Sequence, residues 1–123
     1  MQKQYKLLIV EDDPIVQMAF KYFLSEVQQT ADCVGTLEQA GIKLQNNCYD
    51  FIFMDIGLPD GNGLDFAEHL LNSTAQKPQS IVIVSAYSSQ DIQQRIQKLQ
   101  CQQVVKPLSC QQFKSILSNG FEK

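Results

Sequence analysis

Asp55 stands where an apolar run, Phe51-Ile52-Phe53-Met54, gives way to a loop dense in turn formers, Ile56-Gly57-Leu58-Pro59-Asp60-Gly61-Asn62-Gly63. A short run apolar on both faces reads as a strand buried inside a parallel sheet. A carboxylate leaving such a strand sits at the mouth of the sheet, where open α/β folds place their ligand sites. Three other runs end in the same manner. Leu7-Leu8-Ile9-Val10 leads into Glu11-Asp12-Asp13, Ser80-Ile81-Val82-Ile83-Val84 into Ser85-Ala86, and Gln102-Gln103-Val104-Val105 into Lys106-Pro107. Singly, each has an ordinary duty: loop acid, turn hydroxyl, or surface ammonium with a solvated tip. Their joint placement at successive strand ends outweighs those readings. Glu11, Asp12 and Asp55 on one rim repel one another unless positive charge offsets them. Lys106 supplies one such charge. A divalent ion that prefers oxygen ligands supplies the rest, and Mg²⁺ suits a few carboxylates together with waters and a phosphate oxygen.

The elements that must hold these residues alternate along the chain. After the first strand, Asp13-Pro14 has the form of a helix start, with Asp13 as N-cap and proline in the first turn. Ile15, Ala19, Phe20, Phe23, Leu24 and Val27 then recur at helical spacing and predict one buried face. Ala31 to Gly35 is a short second strand. Thr36-Leu37-Glu38-Gln39 has the form of a capping box opening a second helix that runs to about Gln45. Leu64, Ala67, Leu70 and Leu71 mark a third helix, ending near Asn72-Ser73, and Lys77-Pro78-Gln79 breaks the chain before the fourth strand. Ser89 caps a fourth helix with Ile92, Ile96 and Leu99 on its narrow apolar face. Ser109 with Gln112 opens a fifth, carrying Phe113, Ile116 and Leu117. Strand and helix thus alternate five times within 123 residues. The pattern predicts an α/β fold: a doubly wound five-stranded parallel sheet, (βα)5, in three α/β/α layers with right-handed crossovers.

Length and composition fit one domain spanning residues 1–123, with 44% hydrophobic and 19% charged residues. A net charge of −3 and the lack of any Lys/Arg cluster point away from nucleic acid and membrane surfaces as partners. The first residues lack the long apolar core of a signal peptide, and no apolar run approaches a membrane span. Cys33, Cys48, Cys101 and Cys110 show no CxxC or metal-finger spacing and read as reduced thiols, which predicts a cytoplasmic setting.

Leu8-Ile9-Val10-Glu11-Asp12-Asp13-Pro14, Met54-Asp55-Ile56-Gly57-Leu58-Pro59-Asp60-Gly61-Asn62-Gly63, Ser85-Ala86 and Lys106-Pro107 together resemble a response-regulator receiver domain of two-component signalling. The resemblance covers essentially the whole chain in the right order. It implies the flavodoxin-like form of the fold, with Asp55 as phosphoacceptor and Glu11 and Asp12 as the acidic pair that holds Mg²⁺. The Gly57 backbone carbonyl is then a further metal ligand, Ser85 the switch hydroxyl and Lys106 the phosphate-contacting lysine. The phosphoryl donor it implies is a phosphohistidine, on a sensor histidine kinase or a histidine phosphotransfer protein. The output surface is the fourth helix, fifth strand and fifth helix (88–119), offered to an output protein or to a second copy. A stand-alone receiver, a piece of a longer regulator and a piece of a hybrid sensor histidine kinase all fit this resemblance.

Two positions depart from the family's habit. Gln103 stands where a fifth-strand aromatic residue is usual, and Ser85 stands in place of the commoner threonine. The hydroxyl survives; ring burial as a readout does not. Loop or helix movement is expected to carry the signal instead. Tyr87, two residues past Ser85, is placed to limit water access to an acyl phosphate. His69, the only histidine, falls within the third helix and reads as a surface residue. The rival readings are weaker. A phosphohydrolase with an aspartate nucleophile needs an acid two residues on, where this chain has Gly57. A nucleotide- or flavin-binding module needs a phosphate cradle after the first strand, where Glu11-Asp12-Asp13 repels phosphate.

Overall fold

The structure, a computed structural model, describes residues 3–73, 80–86 and 89–119. Among the described residues, seven strands and five helices occur in the order β1 (Leu7–Val10), α1 (Pro14–Glu26), β2 (Asp32–Val34), α2 (Leu37–Asn46), β3 (Phe51–Asp55), β4 (Gly57–Leu58), β5 (Gly61–Asn62), α3 (Gly63–Leu71), β6 (Ser80–Ser85), α4 (Gln90–Leu99), β7 (Gln102–Val105) and α5 (Cys110–Asn119). Five of the strands form one parallel sheet in the order β2-β1-β3-β6-β7. The remaining two, β4 and β5, pair as a small antiparallel ribbon inside the loop after Asp55. The fold is the expected flavodoxin-like three-layer α/β/α arrangement.

Alternation along each strand divides the core between the two faces of the sheet. Leu7, Ile9, Phe51, Phe53, Val82 and Val84 pack against α1 and α5, whereas Leu8, Val10, Ile52, Met54, Ile81 and Ile83 pack against α2, α3 and α4. The first face is aromatic. Phe113 lies 5.1 Å from Phe53 and Phe20 lies 5.6 Å from Phe53 between ring centroids. Such pairs each contribute about 0.5–1.5 kcal/mol beyond burial. The second face is aliphatic. There α4 has a single fully buried side chain, Ile96. Its Arg95 reaches across to Asp65 at 2.9 Å and Glu68 at 3.0 Å on α3, both in solvent-exposed pairs.

Several expected boundaries hold and several shift. Asp13 and Ser89 cap α1 and α4, accepting from Ile15 N and Ile92 N. Ser109 and Gln112 close a reciprocal capping box, Ser109 N–H donating to Gln112 Oε1 at 2.9 Å and Gln112 N–H to Ser109 Oγ at 3.1 Å. At α2 only half of the expected box forms. Gln39 N–H donates to Thr36 Oγ1, but the Gln39 side chain accepts from Gly35 N–H, one residue too early to close the box. Ile15 does not join the buried face of α1. It is 76% exposed, because Phe20, Phe23, Leu24 and Val27 set the buried stripe and Ile15 lies well to one side of it. β3 runs one residue further than the apolar run, through Asp55 itself. The Lys77-Pro78-Gln79 break lies outside the described residues. Among the described residues, no helix is long and apolar enough to cross a membrane.

Candidate functional site at the carboxyl edge of the sheet

Strand register gathers the reactive residues. Val10 pairs with Met54, so Glu11 and Asp55 leave adjacent strands side by side. Asp55 pairs with Val84 and Ser85 with Val105, so Ser85 and then Lys106 follow one step further along the same edge. The chain runs outward from β1 to β2 and then returns to build β3, β6 and β7 on the other side. The gap between β1 and β3 is therefore the topological switch point, where doubly wound sheets open a crevice.

One carboxylate oxygen from each of Glu11, Asp12 and Asp55 lies within 4.8 Å of the other two. Lys106 Nζ stands 3.0 Å from Glu11 Oε1 and 3.4 Å from Asp55 Oδ1. Its backbone N–H donates to the Ser85 carbonyl at 2.7 Å, fixing the end of β7 to the end of β6. Glu11, Asp55 and Ser85 are buried, while Asp12 is exposed at the rim. Burial raises the pKa of Glu11. A hydrogen bond from Asp13 N–H and the nearness of Lys106 oppose that rise, and Asp55 adds to it. Burial pulls the Lys106 ammonium down, but its hydrogen bonds and charge pairing with Glu11 and Asp55 outweigh this and its pKa is raised. Among the described residues, Glu11 Oε1 makes no hydrogen bond beyond its ion pair, and Ser85 Oγ has no hydrogen-bond partner. Leaving a buried hydroxyl unpaired costs about 1–3 kcal/mol. Both atoms belong to side chains of this rim, and a cleft of about 300 Å³ opens beside Asp55, Gly57, Ser85 and Lys106.

The chemistry of this donor set suits Mg²⁺. All the donors are oxygens, three are carboxylates, and the pocket's net charge stays negative after Lys106 is counted. Gly57 lies in β4, where a Cβ would meet nothing within 4 Å; only its backbone has a part to play. His69 is exposed on α3, away from the cleft. Tyr87 lies outside the described residues. Gln103 lies in β7, half-buried, with no ring to bury.

Four supporting residues escape a reading by strand ends. Gln17 Nε2 donates to the Glu11 carbonyl at 2.6 Å and holds the acidic turn against α1. Asn62 Oδ1 caps α3, accepting from Leu64 N–H at 2.8 Å. Asp60 accepts from Leu37 N–H at 2.9 Å and Glu38 N–H at 3.0 Å, capping a helix 23 residues earlier in the chain. Gly63 presses on Asp55 so closely that a Cβ would lie 1.9 Å from the Asp55 carbonyl oxygen. Only Asn62, just ahead of an apolar-periodic segment, carries a local signal for its role.

The fold and this edge define a class, a signalling receiver module built on a doubly wound sheet. The family model for the response regulator receiver domain matches residues 7–118, and the chain belongs to that family. It is 34% identical over 86 residues to the transcriptional regulatory protein PmrA of Pectobacterium parmentieri, covering 70% of this chain and 38% of that one. It is 30% identical over 123 residues to the alginate biosynthesis transcriptional regulatory protein AlgB of Pseudomonas syringae pv. tomato, covering 98% of this chain and 27% of the relative. The chain thus spans about a third of the length of these curated relatives. Among solved structures, a two-component response regulator from Clostridium difficile superposes with a TM-score of 0.85 at 25% identity, covering 98% of each chain. The response regulator receiver domain from Methylobacillus flagellatus superposes with a TM-score of 0.81 at 26% identity, covering 96% of this chain and 99% of that one.

Proposed function

We propose that this chain accepts a phosphoryl group from a phosphohistidine onto Asp55 and uses the resulting aspartyl phosphate to reset a partner surface. The observation that carries the reading is the convergence of Glu11, Asp12, Asp55 and Lys106 on one rim beside a buried, unpartnered Ser85 hydroxyl. The Asp55 carboxylate attacks phosphorus in line with the leaving imidazole: an O–P bond forms, the P–N bond breaks, and the electron pair leaves with nitrogen. Glu11, Asp12, Asp55 and the Gly57 carbonyl are the residues that would hold Mg²⁺, which supplies charge neutralisation and Lewis-acid polarisation of the phosphoryl oxygens. Lys106 Nζ and Ser85 Oγ then donate to phosphate oxygens, each such bond contributing on the order of 1.5–3 kcal/mol.

Ser85 ends β6 and Lys106 follows β7, so drawing them towards one phosphate biases the face made by α4, β7 and α5. That face is the proposed contact for an output protein or a second copy. The donor, a sensor histidine kinase or histidine phosphotransfer protein, has to approach the rim itself. Helix α1 starts two residues after Asp12 and shows Ile15, Met18 and Tyr22 to solvent at positions i, i+3 and i+7, an apolar stripe beside the site. Regulation by phosphorylation, with a cytoplasmic location, follows from this reading; catalytic turnover of small phosphomonoesters does not. Intact-mass measurement after incubation with acetyl phosphate and Mg²⁺ tests it. One phosphoryl adduct is expected on the native chain and none on Asp55→Asn. An adduct of equal yield on Asp55→Asn refutes the assignment, and repeated turnover of a phosphomonoester would favour a hydrolase.

A further inference from the structure

Glu11 and Asp12 and the loop that follows Asp55 belong to different parts of the chain, and the first turn of α2 is tied to that loop as well as to the strand end beside Glu11. Glu11 N–H donates to the Val34 carbonyl at 3.0 Å, and Gly35 follows so closely that a Cβ there would lie 3.8 Å from Asp12 Cα and 3.9 Å from the Glu11 carbonyl oxygen. α2 begins two residues later. Its first free N–H groups, those of Leu37 and Glu38, are taken by the two carboxylate oxygens of Asp60. These N–H donors hold the Asp60 carboxyl below the usual carboxylate range. Gly61 closes the same contact: a Cβ there would stand 2.9 Å from Leu37 Cδ1. Asp60 and Gly61 form the tip of the β4–β5 ribbon, whose other end is Gly57. The route from Glu11 through the Val34 carbonyl, the first turn of α2, Asp60 and the ribbon to Gly57 is therefore short.

We propose that Asp60 is a positioning residue for the metal site: by clamping the β4–β5 ribbon to the first turn of α2, it sets where the Gly57 carbonyl stands relative to the Glu11–Asp12 pair. This rests on the reading of that rim as a Mg²⁺-dependent phosphoacceptor. Asp60 lies outside the Glu11–Asp12–Asp55 cluster that would hold the metal. It acts through Leu37, Glu38 and Gly35 on one side and through Gly57 on the other. An ordinary helix cap that adds only stability has no reason to change affinity for a cation.

The test is Mn²⁺ binding to the whole chain by isothermal titration calorimetry, alongside thermal melts in chelator. Asp60→Ala is expected to weaken Mn²⁺ affinity roughly tenfold, the lower end for groups that orient metal ligands. Asp60→Asn keeps one of the two acceptor oxygens and is expected to bind between the two, roughly threefold more weakly than the wild type. Gln29→Leu provides the comparison. Gln29 is buried at the opposite edge of the sheet, joined to Tyr5 N–H and the Lys3 carbonyl, so its loss lowers the melting temperature without moving the Mn²⁺ constant. An Asp60→Ala protein that melts lower yet binds Mn²⁺ as the wild type does overturns the inference and leaves the phosphoacceptor reading standing. A wild-type chain that binds no Mn²⁺ overturns both. If Asp60→Ala does not fold, Asp60→Asn decides by the same criterion: weaker binding supports the inference and unchanged binding overturns it.

Discussion

Gly63 offers the sharpest single-atom perturbation of the site. It opens α3, and its backbone lies against Asp55: an added Cβ would sit 1.9 Å from the Asp55 carbonyl oxygen, 2.9 Å from Met54 Cγ and 3.0 Å from the Asp55 carbonyl carbon. The closest ordinary carbon–oxygen approach is about 3.3 Å, so in Gly63→Ala the two backbones have to part by about 1.4 Å. Neither side yields easily, because Gly63 N–H donates to the Ile56 carbonyl at 2.8 Å and Asp55 ends a strand, β3, that is held between β1 and β6. Overpacking of this kind costs about 3 kcal/mol at the upper end of its usual range. That lowers the melting temperature by roughly 12 °C in a chain of this size. Displacing a nucleophile by about 1 Å can cost on the order of 100-fold in rate. The assay is a mass-resolved time course with acetyl phosphate and Mg²⁺, paired with a thermal melt. Gly57→Ala is the matched contrast: its Cβ meets nothing within 4 Å and its carbonyl remains, so both readouts should stay near wild type. A Gly63→Ala protein that melts and phosphorylates like Gly57→Ala refutes the claim that the two backbones are held in contact.

Three further outcomes are expected. Lys106→Met leaves the buried Glu11 and Asp55 carboxylates without their ammonium, which should lower the melting temperature by roughly 10 °C. Added Mg²⁺ should restore more of that loss than it adds to the wild type; equal gains in both proteins count against the shared-pocket electrostatics. Ile15→Asp places a charge in the apolar stripe of α1 without touching Asp55, so transfer from a phosphohistidine donor should slow while acetyl phosphate labelling is unchanged. Parallel loss of both activities sinks the docking role. Asp60 has a folded-state pKa below its usual 3.8, so its stabilising effect is complete above pH 3.8 and disappears as pH falls through the lower folded value. The stability gap between wild type and Asp60→Ala, read from denaturant melts across acid pH, should narrow in that window and nowhere above it.

What could be read from the sequence was whatever depends on period and punctuation. The β-branched run Ile81 to Val84 reads as a buried strand whose end places Ser85, Phe51 to Met54 places Asp55 in the same way, and the shorter, partly exposed Gln102 to Val105 places Lys106. Parallel strands share a direction, so residues at their ends meet on one edge whatever the details of packing. The parts that escaped depend on distances between segments. Nothing local marks Asp60 as the cap of a helix 23 residues upstream, or Gln17 as the tether of the Glu11 carbonyl. The Gly-rich loop announces turns, but its folding into the β4–β5 ribbon is set by contact with Leu37. Spacing alone puts Ile15 with the core of α1, because apolar residues near a helix start look alike; its exposure follows from the angle set by Phe20 and Phe23.

The two sides of the sheet differ in how firmly they are knit. Under α1 and α5 lie the interlocked rings of Phe20, Phe23, Phe53 and Phe113, whereas α4 rests on Ile96, the half-buried Ile92 and Leu99, and a solvent-screened Arg95 clamp. Amide hydrogen exchange should accordingly rank α4 among the fastest-opening helices and α1 among the slowest. Tension applied at Ser85 meets little resistance on the α4 side and a great deal on the other. A chain with Gln103 in place of an aromatic lever thus still has a compliant element hinged directly on its reactive edge.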